Sequence, residues 1–294
     1  MRGNVAASVR QRLLNLAREG GETYDVVLSR YVRERFLYRL GQSSYRDRFI
    51  VKGATLFLVW MGEPHRITRD LDLLGYGASS ETALLDAMRA ICAVKVEHDD
   101  GLVFEHDQAT AAPIREGQSY EGVRVRVVAR LGSARIPLQI DIGLGDAVTP
   151  TAESAQIPPL LDSEPPVVRV YPRETVIAEK YQALVVLGMA NSRMKDYYDL
   201  WYLGAHFDFD AATLREAIVA TFERRGTARP STRPLGLSAA FSGDAGKVQQ
   251  WRAFLRKGRL DAPPLVEVVE WVERLLWQMP DRGQWKARRG WETT

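Results

Sequence analysis

The stretch Arg66-Ile67-Thr68-Arg69-Asp70-Leu71-Asp72-Leu73-Leu74 alternates aspartate with leucine in its second half, and that alternation decides the fold. Read as a strand at 69–74, it turns Asp70 and Asp72 to one face and Leu71 and Leu73 to the core. Just upstream, 48–52 (Arg-Phe-Ile-Val-Lys) has strand composition, Gly53 opens an apolar helix at 54–61, and 62–66 is a loop. The order is strand, glycine turn, helix, strand. Two carboxylates side by side repel each other unless a divalent cation bridges them, and oxygen-only ligands suit Mg²⁺ or Mn²⁺. The competing reading is a solvated strand edge. The chain carries its own control: Asp208-Phe209-Asp210 is the same D-x-D, but in front of Ala211-Ala212-Thr213-Leu214 it reads as a helix N-cap.

Asp141 raises the significance of the first pair. In 136–142, Ile136, Leu138, Ile140 and Ile142 take the apolar face, so Asp141 falls with Gln139 and Gly143 on the other. Three acidic groups on one sheet face form the arrangement that two-metal phosphoryl or nucleotidyl transfer requires. The strand at 122–130 alternates Val123, Val125 and Val127 with Arg124 and Arg126, and Gly132-Ser133 makes it the hairpin partner of 136–142. Elsewhere, helical spacing marks 8–19, 23–40 and 81–92, and Asp100-Gly101 predicts a hairpin of 94–97 with 102–105. The Pro-, Ser- and Thr-rich segment 146–166 reads as a linker, followed by a short strand at 167–170 and then helices. The expectation is therefore an α/β (α+β) protein. Residues 1–150 would hold N-terminal helices and a mixed sheet flanked by helices, and 151–294 a mainly helical domain.

In the predicted helix 175–187, Lys180 lies on the apolar stripe with Val176, Ala183, Leu184 and Leu187, and a lysine facing inwards needs an anion. Asp196 repeats the pattern with Leu200 and Leu203, while Asp199 is expected to point elsewhere. Either Lys180 and Asp196 form a buried pair, or Lys180 is a cation that reaches phosphates. Gly53 after Lys52 would let backbone N–H groups approach a phosphate. Other chemistries find no support. Ser242-Gly243-Asp244-Ala245-Gly246-Lys247 has Phe241 where a P-loop needs glycine, and Gly143-Leu144-Gly145 lacks the third glycine of a dinucleotide fingerprint. The four histidines lack zinc spacing, no serine sits in G-x-S-x-G, and Cys92 reads as core.

Composition agrees. The chain has 294 residues, 40 Lys+Arg against 37 Asp+Glu, and 46% hydrophobic residues, which excludes disorder and fibres. One cysteine excludes an intramolecular disulfide and a Cys-based zinc cluster. Apolar runs are too short to span a membrane and 1–5 do not read as a signal peptide, so a cytoplasmic protein is expected. A pI near 9.0 permits a nucleic-acid partner, with the Arg-rich segments 33–39 and 224–233 as candidate contacts or ordinary solvated faces.

Tyr38-Arg39-Leu40 through Lys52-Gly53-Ala54, then Arg66 to Leu73, Ala178-Glu179-Lys180 and Arg193-Met194-Lys195-Asp196-Tyr197-Tyr198-Asp199-Leu200 closely resemble the AbiEii/AbiGii toxin family of nucleotidyltransferases. The resemblance runs from about Val5 to Leu255 and keeps four motifs in order. It implies a polymerase β-like nucleotidyltransferase core followed by a helical domain. It also implies a toxin of an abortive-infection or toxin–antitoxin pair, a neighbouring antitoxin gene, and an NTP substrate; some members extend the 3′ end of tRNA. Carried over, Gly53 matches the first motif's glycine, Asp70 and Asp72 the metal-binding pair, Lys180 the nucleotide-contacting lysine and Asp196 the late catalytic acid. Thr68 matches a hydroxyl residue that often precedes the pair. Asp141 as third carboxylate rests on its strand position and on analogy with the polymerase β superfamily. Related enzymes carry Gly-Ser at the first motif where this chain has Gly53-Ala54, so Thr55 or a backbone amide takes the serine's place on phosphate. The expected activity is Mg²⁺-dependent transfer from an NTP to RNA, at the tRNA 3′ end. The alternatives are transfer to a small molecule and a non-catalytic nucleotide- or RNA-binding module.

Overall fold

The computed structural model describes residues 2–68, 70–115 and 121–292. Arg69, the first residue of the expected D-x-D strand, lies outside them. The chain divides into two compact units, Met1–Gly145 with Ala152–Tyr171 and Asp146–Thr151 with Pro172–Thr294.

The first unit is built on a mixed sheet. Its elements are α1 (Arg2–Glu19), α2 (Tyr24–Gln42), β1 (Phe49–Lys52), α3 (Leu56–Met61), β2 (Asp70–Gly75), α4 (Glu81–Cys92), β3 (Leu102–Phe104), β4 (Thr110–Arg115), β5 (Glu121–Leu131), β6 (Ala134–Leu144), β7 (Glu153–Gln156) and β8 (Val167–Val170). The strand order is β3-β5-β6-β2-β1-β8-β7, with β4 also pairing with β5. β2 runs parallel to β6 and antiparallel to β1, while β5 and β6 form the hairpin expected across Gly132-Ser133. One sheet face is the core: Leu71, Leu73, Val125, Ile140 and Ile142 are all 0% exposed. Each stabilises the fold by roughly 1.5–3 kcal/mol relative to exposure. α2 packs against β6 and β8, and α4 packs against α2, β4 and β5.

Three expectations are corrected in this unit. The segment 94–97 is not a strand, and β3 pairs with β5 instead of closing a local hairpin. The reason is Asp100, whose carboxylate is drawn into an anchor for α2: it accepts from Arg35 and Arg39 and from the Leu102 N–H. The segment 146–166 is not wholly linker, since β7 within it pairs with β8 and so extends the sheet. The Arg-rich segment 33–39 is no solvated face. Arg33, Arg35 and Arg39 are 7%, 2% and 4% exposed, because α2 is buried from Val27 to Leu40 with only Ser29 and Arg30 partly open before it closes over.

The second unit contains α5 (Arg173–Leu187), α6 (Met194–His206), β9 (Phe209–Asp210), α7 (Ala211–Arg224), α8 (Ala239–Ser242), α9 (Ala245–Gly258), α10 (Leu265–Leu276), β10 (Gln284–Lys286) and β11 (Gly290–Glu292). The last two strands join β9 in a small antiparallel sheet that helical periodicity did not signal. Trp285 is fully buried there, donates to Gly204 O at 2.6 Å, and meets Trp271 and Trp291 edge to face. As expected, the second D-x-D is a cap: Asp210 accepts the Thr213 N–H at 2.9 Å. Among the described residues, no helix is long and apolar enough to cross a membrane.

Candidate nucleotidyl-transfer site

The carboxylates of the first unit are placed by register. Asp72 stands opposite Asp141 across the parallel β2–β6 pair and opposite Lys52 across β1–β2, while Asp70 stands opposite Gln139. Because paired residues on neighbouring strands share a face, Lys52, Asp70, Asp72, Gln139 and Asp141 all project from the side away from the core. Asp70, Asp72 and Asp141 are half-buried. Thr68 donates its hydroxyl to the Asp70 carbonyl at 3.3 Å, bracing the start of the strand.

Gly53 is required by this arrangement. Its φ is +70°, and a Cβ there would lie 2.2 Å from Oδ2 of Asp72. The backbone after β1 therefore passes directly against the Asp72 carboxylate, in a conformation that residues with a side chain rarely adopt. Gly53→Ala is expected to lower transfer about 10²-fold, the effect of moving a reacting group by about 1 Å. The measurement is the transfer rate beside a circular-dichroism melt; wild-type turnover in a folded variant would contradict the fit.

Ala54 and Thr55 follow in a short 3-10 turn, 5% and 4% exposed. Thr55 lines a cavity of about 420 Å³ in this unit together with Arg30, Arg33, Glu34 and the 62–64 loop. Burial and the neighbouring Arg30 push the Arg33 guanidinium down to about 10, with the Asp70 charge working in the opposite direction.

Asp141 has a partner that was not anticipated. Arg124, directly opposite on β5, donates to both its oxygens at 2.8 and 2.7 Å. This pair was legible, since a two-residue turn at 132–133 pairs Leu131 with Ala134 and, counted outward, Arg124 with Asp141. Among the described residues, the three His, Cys, Asp or Glu groups with ligand atoms within 4.8 Å of one another are Glu97, His98 and Glu164, all exposed and outside this face. Asp70 and Asp72 offer carboxylate oxygens on one face, and the Gly53 backbone passes against Asp72.

In the second unit, the half-buried Lys180 is a hub. Its ammonium lies 2.8 Å from both Asp196 Oδ1 and Asp199 Oδ2, with the two carboxylates 0% and 1% exposed. Asp199 was expected to point away. It does not, because residues three apart on a helix lie on the same side, so Asp196 and Asp199 close on one lysine. Arg193 adds a contact of 2.6 Å to Asp196. Burial alone would raise the Asp196 carboxyl, but Lys180 and Arg193 outweigh it and hold that group below the ordinary carboxylate value. Beside the hub, Arg225 joins Asp146 and Glu179 at 3.0 and 3.3 Å. Cys92 is core as expected, its thiol pushed up to about 12 by burial.

The AbiEii family model, described as a nucleotidyl transferase toxin of a type IV toxin–antitoxin system, matches residues 35–280. Two solved structures from Helicobacter pylori are similar. One is described as a "putative nucleotidyltransferase" (16% identity, 85% of this chain and 92% of that one, TM-score 0.46). The other is JHP933 (16% identity, 81% and 84%, TM-score 0.44). No curated protein matches.

Proposed function

The chain belongs to the AbiEii family of nucleotidyl transferase toxins of type IV toxin–antitoxin systems, and from that premise we propose that it transfers a nucleotide from an NTP to the 3′ end of a tRNA, with Mg²⁺ held by Asp70 and Asp72. The observation that carries the reading is the face shared by those two carboxylates, with Gly53 fitted against Asp72. In the reaction the acceptor's 3′ hydroxyl gives up its proton to solvent as its oxygen bonds to the α-phosphorus, and the bond to the leaving pyrophosphate breaks. Asp70 and Asp72 would hold the Mg²⁺, which when bound would supply charge compensation in the transition state.

The protein contributes positioning. The backbone at Lys52-Gly53, free of a side chain at Gly53, approaches the phosphates, and Thr55 takes the place of the family's serine. Asp141, oriented by Arg124, completes the acidic face. Lys180 and Asp196 take the nucleotide-contacting and late acidic roles, held as a pair at 2.8 Å. Such catalysis is mainly orientation and charge placement. The family also implies an antitoxin partner.

The test is incubation with each α-labelled NTP, total tRNA and Mg²⁺, with and without EDTA, and with an added small hydroxylic acceptor. Label on tRNA that EDTA abolishes is the expected result. Label only on the small acceptor, or none with any NTP, overturns the RNA assignment.

A further inference from the structure

The polar sheet face of the first unit continues past the carboxylates. Two rows cross it. Lys52, Asp72, Asp141 and Arg124 stand in line across β1, β2, β6 and β5; Asp70, Gln139, Arg126 and Thr110 stand in the next row across β2, β6, β5 and β4. The first row is closed electrically at its far end, since the Arg124 charge is met by Asp141. The second row ends differently. Arg126 is exposed, and among the described residues no carboxylate pairs with it. Farther along the same face, Arg130 and Arg135 are each committed to Glu105. Among the described residues, Arg126 is therefore the cation on this face that lies nearest the acids without an ion-pair partner. Beside it β4 presents Thr110 directly opposite and Ala112 on the diagonal, both small and exposed, with Ile114 farther along.

An acceptor that brings its 3′ hydroxyl to Asp70 and Asp72 must run its preceding phosphates away from two carboxylates. Those phosphates need a cation within a nucleotide or two of the terminus. Arg126 sits two strands from Asp70, about 10 Å at ordinary strand spacing, and its planar guanidinium suits a phosphate bidentately. Gln139 and Thr110, in the same row, add hydrogen-bond donors. We propose that this face of β6, β5 and β4, centred on Arg126, is the track on which the terminal phosphates of the acceptor RNA lie. The proposal rests on the reading of the acceptor as RNA.

The test compares Arg126→Glu with Arg18→Glu, an equal charge change at an exposed residue of α1. Binding of bulk tRNA is followed by fluorescence anisotropy across a salt series, NTP binding by calorimetry, and labelling of tRNA by its KM and kcat. Arg126→Glu is expected to weaken tRNA binding at least about tenfold and to flatten the slope of log affinity against log salt by about 0.7–0.9, the loss of one phosphate contact. The KM for tRNA rises while NTP affinity stays within about twofold of wild type, and Arg18→Glu changes neither. If the wild type labels tRNA and Arg126→Glu binds and labels it equally well, the track is overturned and the RNA reading stands. If the wild type neither binds nor labels tRNA, both fall.

Discussion

Asp70→Asn and Asp72→Asn each lower nucleotide transfer by at least about 10³-fold while the melting temperature stays within a few degrees of wild type. The amide keeps the volume and the strand register, so the packing of Leu71 and Leu73 beneath is unchanged. What is lost is one of two charges that share a face. A metal site supplies several kcal/mol of transition-state stabilisation, and each 1.4 kcal/mol is a factor of ten in rate. The fold does not suffer, because removing one of two neighbouring like charges relieves repulsion. Mn²⁺ titration of the unreacted protein gives a readout independent of turnover, and both variants are expected to lose binding there. Asp141→Asn separates from them: it breaks the bidentate contact with Arg124, so its Mn²⁺ affinity reports whether that carboxylate also serves as a ligand. Residual transfer above about a tenth of wild type in Asp70→Asn would remove the metal assignment.

The parts of this site that were legible in the sequence are those set by a short period. The 69–74 alternation placed Asp70 and Asp72 away from the core, and the same logic placed Asp141 beside them. In the structure Asp72 and Asp141 are register partners. Inward orientation of Lys180 was equally local, since helical spacing alone put it on the apolar stripe; it is 12% exposed at the side chain. What failed was of a different kind. Asp199 was misplaced because the stripe was counted from Asp196 at i+4 and i+7 only, whereas the i+3 neighbour shares that side and the Lys180 charge draws in both carboxylates. A strand at 94–97 was expected because Asp100-Gly101 was read as turn chemistry, whereas the Asp100 side chain is committed to α2, 65 residues back at Arg35. Segment 33–39 was misread for the same reason: three arginines suggest a wet surface unless the buried anion that neutralises two of them is known. Long-range ion pairs leave no periodic trace. The exception is Arg124, whose pairing with Asp141 follows from counting back through a two-residue turn.

That buried anion sets the last expectation, a loss of stability of about 3–5 kcal/mol in Asp100→Ala, the usual result of stripping one partner from a buried ion pair. Asp100 is 6% exposed and accepts from Arg35 Nε at 3.2 Å, from Arg39 Nη1 and Nη2 at 2.6 and 3.1 Å, and from the Leu102 N–H at 3.1 Å. Its own carbonyl takes the Tyr31 hydroxyl at 2.9 Å. With the carboxylate gone, two guanidinium groups remain inside the protein. Arg35 keeps the Glu34 carboxylate at 3.5 Å, Ser163 Oγ and the Glu164 carbonyl, but Arg39 is left with the Arg35 carbonyl and the face of the Phe104 ring, neither of which carries a charge. At about 2–4 °C per kcal/mol for a domain of this size, the melting temperature falls by roughly 6–20 °C. Removing the cation as well tests the cause. If the penalty comes from an uncompensated buried charge, Asp100→Leu combined with Arg39→Met recovers much of the loss, because an apolar pair of similar volume does not need the missing charge. If the double variant is no more stable than Asp100→Ala, the loss comes instead from the Leu102 turn, and α2 is held by its packing against β6 and β8 rather than by charge.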